Sequence, residues 1–255
     1  MLSKRIIPCL DVRDNQVVKG IGFRNHRIVG EILPLATHYS NSGADELVFY
    51  DITASCEERT VSLQWISQVA QTLAIPFTVA GGIRTFDQAK AILHAGADKI
   101  SINSPALENP NLINELSKQF GSQCVVVGID SQWIMDDYYV HQYTGSEKTS
   151  RNAQRSTREW IKEIQDRGAG EVVLNCMQAD GRRAGYDLPQ LQEMGTLCQI
   201  PMIASGGAGS LTDFSEVFLK TNISGALAAS VFHDKILTIN EVKSALKALK
   251  IEVRL

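Results

Sequence analysis

The chain has 255 residues, of which 44% are hydrophobic and 21% charged, and this composition excludes a disordered, collagen-like or small disulfide-bonded protein. Its 25 Lys and Arg and 28 Asp and Glu give a net charge of -3, so we expect no nucleic-acid or anionic-membrane partner. The N-terminal segment is broken by Pro8, unlike a signal peptide, and the cysteines, Cys56 among them, form no CxxC pair. We therefore expect a cytoplasmic protein with reduced thiols, without a membrane span, a metal site or a cofactor.

Short β-branched runs alternate with amphipathic helical segments along almost the whole chain, as in parallel strands joined by crossover helices. Thr85, Ser156 and Asn109 occupy predicted N-cap positions, the first two in capping boxes with the Gln or Glu three residues later. In chain order, the eight predicted strands span residues 5–11, 46–51, 77–81, 99–103, 124–130, 171–176, 202–205 and 226–229.

The sequence also contains an internal repeat. Residues 43–48 resemble 168–173, and residues 75–82 resemble 200–207 at the same spacing. Two (βα)4 halves, about 1–120 and 121–255, would each leave open parallel edges, which one closed ring removes. The repeat therefore predicts a single (β/α)8 TIM barrel domain over residues 1–255, with an open doubly wound sheet as the alternative.

Carboxylates stand at the predicted ends of several strands, where the active sites of such barrels lie. Asp11 and Asp130 end the first and fifth strands, on opposite sides of the barrel mouth. An Asp at a strand end can instead cap the next helix, but no helical pattern follows either one directly. We therefore predict that these two are a general acid and a general base. Asp51 ends the second strand, and Asp180 lies in the loop after the sixth.

Glycine pairs follow the third and seventh predicted strands, as Gly81-Gly82 and Gly206-Gly207. Glycine lets the backbone approach a ligand closely and leaves amide groups free to bind an anion. Because the repeat supplies this device twice, the sequence predicts a substrate with two phosphate groups. The residues that supply this device are Gly82, Asn103, Ser104, Ser205, Gly207, Ala229 and Ser230, and Asp51, Asp180 and Gly181 are further candidates for substrate binding at the same face.

Six segments closely resemble one known family, the cyclase subunits of imidazole glycerol phosphate synthase, and the resemblance runs from residue 1 to 255. The segments are residues 4–12 (KRIIPCLDV), 17–20 (VVKG), 45–53 (DELVFYDIT), 98–103 (DKISIN), 204–209 (ASGGAG) and 228–233 (AASVFH).

The resemblance implies a reaction of histidine biosynthesis. Ammonia and a doubly phosphorylated ribulosyl formimino aminoimidazole carboxamide nucleotide give imidazole glycerol phosphate and aminoimidazole carboxamide ribotide. It implies that Asp11 and Asp130 are the acid and base of ring closure and bond cleavage, and that Lys19 and Asp51 are further active-site residues. The implied phosphate contacts are Gly82, Asn103 and Ser104 on one side, and Gly181, Gly207, Ala229 and Ser230 on the other.

The resemblance further implies a heterodimer with a glutaminase that docks on the N-terminal face of the barrel and delivers ammonia through its centre. Asp98 would be a docking residue. A salt-bridged plug that merely closes the barrel is the alternative for the charged residues at that face. The implied ammonia gate consists of Arg5, Glu46, Lys99 and Glu171.

The chain departs from the family pattern in two loops. Asp14-Asn15 replaces Asp-Gly, but asparagine tolerates positive φ, so we expect the turn to persist. Arg182 and Arg183 replace a small residue, which removes a hydroxyl contact but could supply a guanidinium to a phosphate. Three other functions remain open: the sister isomerase that makes the cyclase's substrate, an ammonia-delivering paralogue serving another pathway, and a catalytically idle scaffold.

Overall fold

A computed structural model describes residues 3–21, 24–52, 54, 60–145 and 148–255. Cys56 and Thr53, which were part of the sequence interpretation, lie outside these residues. The strands are β1 (Arg5–Arg13), β2 (Gln16–Ile21), β3 (Arg24–Glu31), β4 (Leu47–Asp51), β5 (Phe77–Ala80), β6 (Lys99–Ile102), β7 (Val125–Ile134), β8 (Asp137–Gln142), β9 (Arg151–Ser156), β10 (Glu171–Cys176), β11 (Met202–Ser205) and β12 (Gly225–Ala228).

Eight parallel strands form a closed ring in the order β1, β4, β5, β6, β7, β10, β11, β12. The ring closes because β12 pairs with β1, and β7 pairs with β10. An open doubly wound sheet would leave two edge strands without such partners. The predicted (β/α)8 barrel is therefore confirmed, and the strands β1 and β7 lie four places apart, on opposite sides of the ring.

Two antiparallel hairpins extend the ring at its carboxyl end. β1 continues past Asp11 into β2 and β3, and β7 continues past Asp130 into β8 and β9. The predicted ends of the first and fifth strands were therefore too early, and four strands were not predicted. Cys124, the predicted first residue of the fifth strand, lies instead in a 3₁₀ turn before β7.

The hairpin turns use residues in the left-handed region. Asp14 and Asn15 have φ of 51° and 59°, so the expected turn persists without glycine. Met135 and Asp136 turn the second hairpin with φ of 46° and 69°. Two consecutive positive φ values characterise the turn type whose twist matches that of the paired strands.

Helices cover the outside of the ring, and most follow a barrel strand. Because each strand is covered on both sides, most of its residues are apolar. None of the helices in the described ranges has the length and apolar character needed to cross a membrane. The helices are α1 (Ile32–Asn41), α2 (Leu63–Thr72), α3 (Phe86–His94), α4 (Ser104–Glu108), α5 (Asn111–Phe120), α6 (Thr157–Asp166), α7 (Leu188–Leu197), α8 (Leu211–Lys220), α9 (Ser230–His233) and α10 (Ile239–Ala248).

Only one of the three predicted helix caps is present as expected. Thr85 and Gln88 form the capping box of α3. The predicted box at Ser156 was wrong: its side chain makes no cap bond and instead donates to Asp137, because Ser156 is the last residue of a strand paired with β8. Asn109 was also wrong, since α4 ends just before it and α5 begins after Pro110.

The hydrophobic core has two parts. The larger lies between the ring and the helices and contains Trp65, Val69 and Trp160. The smaller fills the inside of the barrel with side chains from β1, β4, β7, β10, β11 and β12. This inner cluster separates the carboxyl end of the barrel from its amino end.

Candidate active site

One cavity at the carboxyl end of the barrel is lined by every residue predicted to be catalytic or to bind substrate. They come from barrel strands or from the loops and hairpins that follow them, so the fold alone directs them to one face. These residues are Asp11, Lys19, Asp51, Gly82, Asn103, Ser104, Asp130, Asp180, Gly181, Ser205, Gly207, Ala229 and Ser230.

Asp11 lies on β1 opposite Val18 of the first hairpin. The next hairpin residue, Lys19, donates to its carboxylate over 2.9 Å. Burial on its own disfavours the charged form of Lys19, but the carboxylates of Asp11 and Asp180 outweigh it, so the pKa of Lys19 lies above its usual value. Lys19 therefore remains an ammonium ion beside Asp11.

Asp130 on β7 is held by three uncharged donors. Asn175 donates to one carboxylate oxygen over 2.8 Å, and Asn103 donates to the other over 2.9 Å, where the Thr144 hydroxyl also donates. Burial raises the pKa of Asp130, and these hydrogen bonds, with the nearby His141, offset only part of the rise. The two opposed carboxylates thus stand in different environments.

Asp180, in the loop after β10, is a third carboxylate of the cavity. Burial raises its pKa, Lys19 lowers it in part, and the charges of Asp11 and Asp130 raise it again. Asp51 is less available, because it is buried and accepts a hydrogen bond from the backbone amide of Ala54 over 3.0 Å. That bond gives Asp51 a structural role in its loop besides its place in the cavity.

The glycine pairs after β5 and β11 occupy positions that other residues would strain. Gly81 has a φ of 109°, and a Cβ there would lie 2.2 Å from the carbonyl oxygen of Asp51. Gly207 also has a φ of 109°, and its Cβ would lie 2.0 Å from the carbonyl oxygen of Gly185. Backbone is thus packed on backbone on both sides of the cavity.

Sequence reasoning missed several polar residues of the cavity. Asn175 precedes the last residue of β10, and a polar residue so close to the end of an apolar strand was a usable signal. Thr144 and Tyr143 follow β8, and they reach the cavity only because the second hairpin folds back over it. Arg183, one of the two arginines for which the sequence suggested a phosphate contact, lines the cavity; Arg182 does not, although both are exposed.

The four charged residues of the implied gate meet at the opposite end of the barrel. Arg5 donates to Glu46 and to Glu171, each over 2.8 Å. Lys99 contacts the same two carboxylates at 2.9 Å and 3.3 Å. Cations and carboxylates alternate around a closed ring of largely buried side chains, so every charge has two partners. Asp98 is exposed at the same end and accepts a hydrogen bond from the backbone amide of Phe77.

Comparisons with known proteins show similarity over the whole chain. The family of histidine biosynthesis proteins matches residues 5–238. The imidazole glycerol phosphate synthase subunit HisF of Psychromonas ingrahamii is 58% identical over 257 residues, covering all of both chains. That of Idiomarina loihiensis is 58% identical over all of this chain and 97% of its own. That of Vibrio parahaemolyticus is 56% identical over all of both chains.

Proposed function

The chain belongs to the family of imidazole glycerol phosphate synthase HisF subunits, and from this premise we propose how its cavity performs the cyclase reaction of histidine biosynthesis. Ammonia and the bisphosphorylated ribulosyl formimino aminoimidazole carboxamide nucleotide are converted to imidazole glycerol phosphate and aminoimidazole carboxamide ribotide. The observation that carries this proposal is the pair of opposed carboxylates, Asp11 and Asp130, in one cavity between two glycine loops.

The two carboxylates divide the proton transfers between them. Burial shifts the pKa of Asp130 upward, which is the direction that suits a group that donates a proton. Asp11 lies in the same cavity, held at 2.9 Å by the ammonium group of Lys19, and takes the part of the proton acceptor. Asp130 therefore acts as the acid and Asp11 as the base in the first transfer, and the roles exchange when the protons return.

The two glycine loops hold the ends of the substrate. Gly82, Asn103 and Ser104 bind one phosphate, and the loops with Gly181, Gly207, Ala229 and Ser230 bind the other. Backbone amides and hydroxyls suit this task because they donate to phosphate oxygens in fixed directions. A molecule held at both ends has its middle between β1 and β7, within reach of both acids.

The ammonia comes from a partner. The relatives are named as subunits, so the family works in a complex. We propose that the partner is a glutaminase that docks on the face of Asp98, and that the ring of Arg5, Glu46, Lys99 and Glu171 admits ammonia to the barrel. The paired charges of that ring also fit a plug that only closes the barrel. Lys99→Met and wild type are compared in two assays: glutamine-dependent turnover of the complex and ammonium-dependent turnover. These two comparisons together separate a gate from a plug.

Product identification tests the proposed reaction. Purified protein is incubated with the bisphosphorylated substrate, with and without ammonium salt, and the products are separated and identified. The proposal predicts both products only when ammonium is present. Isomerisation of the precursor without consumption of ammonia would identify the sister isomerase instead, and no turnover of either compound would favour the scaffold.

Removing either carboxylate tests the acid and base. We expect Asp11→Asn and Asp130→Asn each to lower ammonium-dependent kcat by roughly 100-fold or more, because general acid-base catalysis contributes about that much. Asp14→Asn is the matched control: Asp14 lies in an exposed turn and tolerates asparagine at its positive φ. An ammonium-dependent kcat within about threefold of the wild-type value, for either Asp11→Asn or Asp130→Asn, would contradict the assignment.

A further inference from the structure

Three charged side chains form a bridge beside the second glycine loop. The guanidinium of Arg183 contacts one carboxylate oxygen of Asp234, and the guanidinium of Arg27 contacts the other. Arg183 also donates through Nε to the hydroxyl of Ser230 over 3.2 Å. Arg183 belongs to the loop after β10, Asp234 follows α9, and Arg27 lies on β3 of the first hairpin. The bridge therefore joins three separate parts of the rim.

The backbone of Arg183 is held firmly in its place. Its φ of 54° lies in the left-handed region, which an arginine adopts only when its surroundings require it. Its carbonyl oxygen packs against Gly209, where a Cβ would lie 2.2 Å away. The loop after β10 is thus pressed against the loop after β11, and the Arg183 side chain starts from a fixed point at the cavity wall.

The charges of the bridge do not cancel. Two guanidinium groups share one carboxylate, which leaves one positive charge beside Ser230 and the Gly207 loop. A phosphate monoester carries about -1.5 to -2 charges near neutral pH, and a guanidinium can bind it with two parallel hydrogen bonds. Asp234 and a phosphate therefore compete for the same donors of Arg183.

We propose that Arg183 binds the phosphate at this end of the substrate and that Asp234 limits the affinity by competing for its guanidinium. The proposal rests on the proposed function only in that a phosphate binds beside Ser230. Arg183 determines the affinity for phosphate and takes no part in proton transfer.

Binding of inorganic phosphate to the full chain, measured by calorimetry, tests the proposal. We expect Arg183→Gln to weaken binding by about tenfold or more, since a hydrogen bond to a charged group contributes roughly 1.5–3 kcal/mol. Asp234→Asn strengthens binding severalfold because the competing charge is gone, and the double variant binds as weakly as Arg183→Gln. Arg182→Gln, which makes the same change of charge at a neighbour that does not line the cavity, binds like wild type.

Steady-state kinetics supply a second readout. Arg183→Gln raises KM for the bisphosphate by a similar factor and leaves kcat within about threefold. The KM of Arg183→Lys lies between those of Arg183→Gln and wild type, because the lysine ammonium keeps the charge but cannot make the two parallel hydrogen bonds of a guanidinium. Wild-type affinity in Arg183→Gln overturns the proposal. Weaker phosphate binding by Asp234→Asn overturns the claim that Asp234 competes with phosphate for the guanidinium of Arg183. If wild type lacks ammonium-dependent turnover, the proposed function fails instead, while the phosphate measurement still decides the role of Arg183.

Discussion

Two aspartates with the same side chain have different surroundings in this cavity. Lys19 gives Asp11 a full positive charge at 2.9 Å, whereas the donors to Asp130 are two amides and a hydroxyl. Burial raises the pKa of Asp130, and its neutral donors offset only part of that rise. In the proposed mechanism, this difference in surroundings distinguishes the acid from the base.

Thr144→Val tests the surroundings of Asp130. The valine keeps the shape but removes a hydroxyl that lowers the pKa of Asp130. That pKa therefore rises further, and the limb of the kcat profile that reports Asp130 moves to higher pH, by up to about one unit. Thr144→Ser restores the hydroxyl and should restore the wild-type profile. An unchanged limb in the valine variant, or a move to lower pH, would contradict the role of Thr144.

At this scale the sequence predicted where the two aspartates lie but not their hydrogen-bond partners. The position of Asp11 and Asp130 was predictable because each follows the apolar part of a strand in a repeated unit, and the carboxyl ends of parallel barrel strands share one face. The donors Asn175 and Thr144 were not, because their function depends on tertiary contacts between β7, β10 and the second hairpin. No local sequence pattern indicates these tertiary contacts.

Two of the elements that line the site, β5 and β11, are strands followed directly by a glycine pair. At Gly81 the backbone of the loop after β5 lies against the carbonyl of Asp51, so this loop and the end of β4 are packed without a side chain between them. Such close packing keeps both loops at the cavity wall. The contact of Gly207 with the carbonyl oxygen of Gly185 packs the loop after β11 in a similar way on the other side.

Two glycine-to-alanine substitutions, one at Gly81 and one at the control position Gly195, test whether this packing requires glycine. Gly81→Ala should lower the free energy of unfolding by more than about 2 kcal/mol, since both φ and the contact with Asp51 oppose a Cβ. Gly195→Ala, inside α7 with its nearest neighbour 4.0 Å away, should raise it by roughly 0.5–1 kcal/mol. Urea titrations with unchanged m-values measure both. Equal effects would show that glycine at 81 has no special structural role.

Among the elements, the barrel strands were predicted well and the hairpins poorly. The barrel strands are mostly apolar, and all but one of their observed bounds lie within two residues of the predicted ones. β3 and β9 are largely polar, and they form only because a turn places each one against a preceding strand. Ser156 shows the same limit: its capping motif is present, but strand pairing directs its side chain to Asp137.

The whole molecule has a hairpin after β1 and another after β7, four strands apart in the ring. This arrangement agrees with the repeat in the sequence, and the division into halves 1–120 and 121–255 stays a prediction. A first half alone would expose β1 and β6, which in the ring pair with β12 and β7. Exposed parallel edges favour association with another chain.

Separate expression of the halves tests that division. We expect residues 1–120 and 121–255 to self-associate when purified alone, and to form a complex with ammonium-dependent turnover when produced together. Size-exclusion chromatography and the product assay measure the two outcomes. Halves that stay monomeric alone, or a co-produced pair without turnover, would contradict the two-unit account.

A crystal structure with the bisphosphorylated substrate, determined without ammonia so that the compound persists, tests the central claim most directly. We predict one phosphate at Gly82, Asn103 and Ser104, the other at Gly207 and Ser230, and the reacting atoms between the carboxylates of Asp11 and Asp130. A substrate held at one loop only, or lying with its middle away from both carboxylates, would contradict the account.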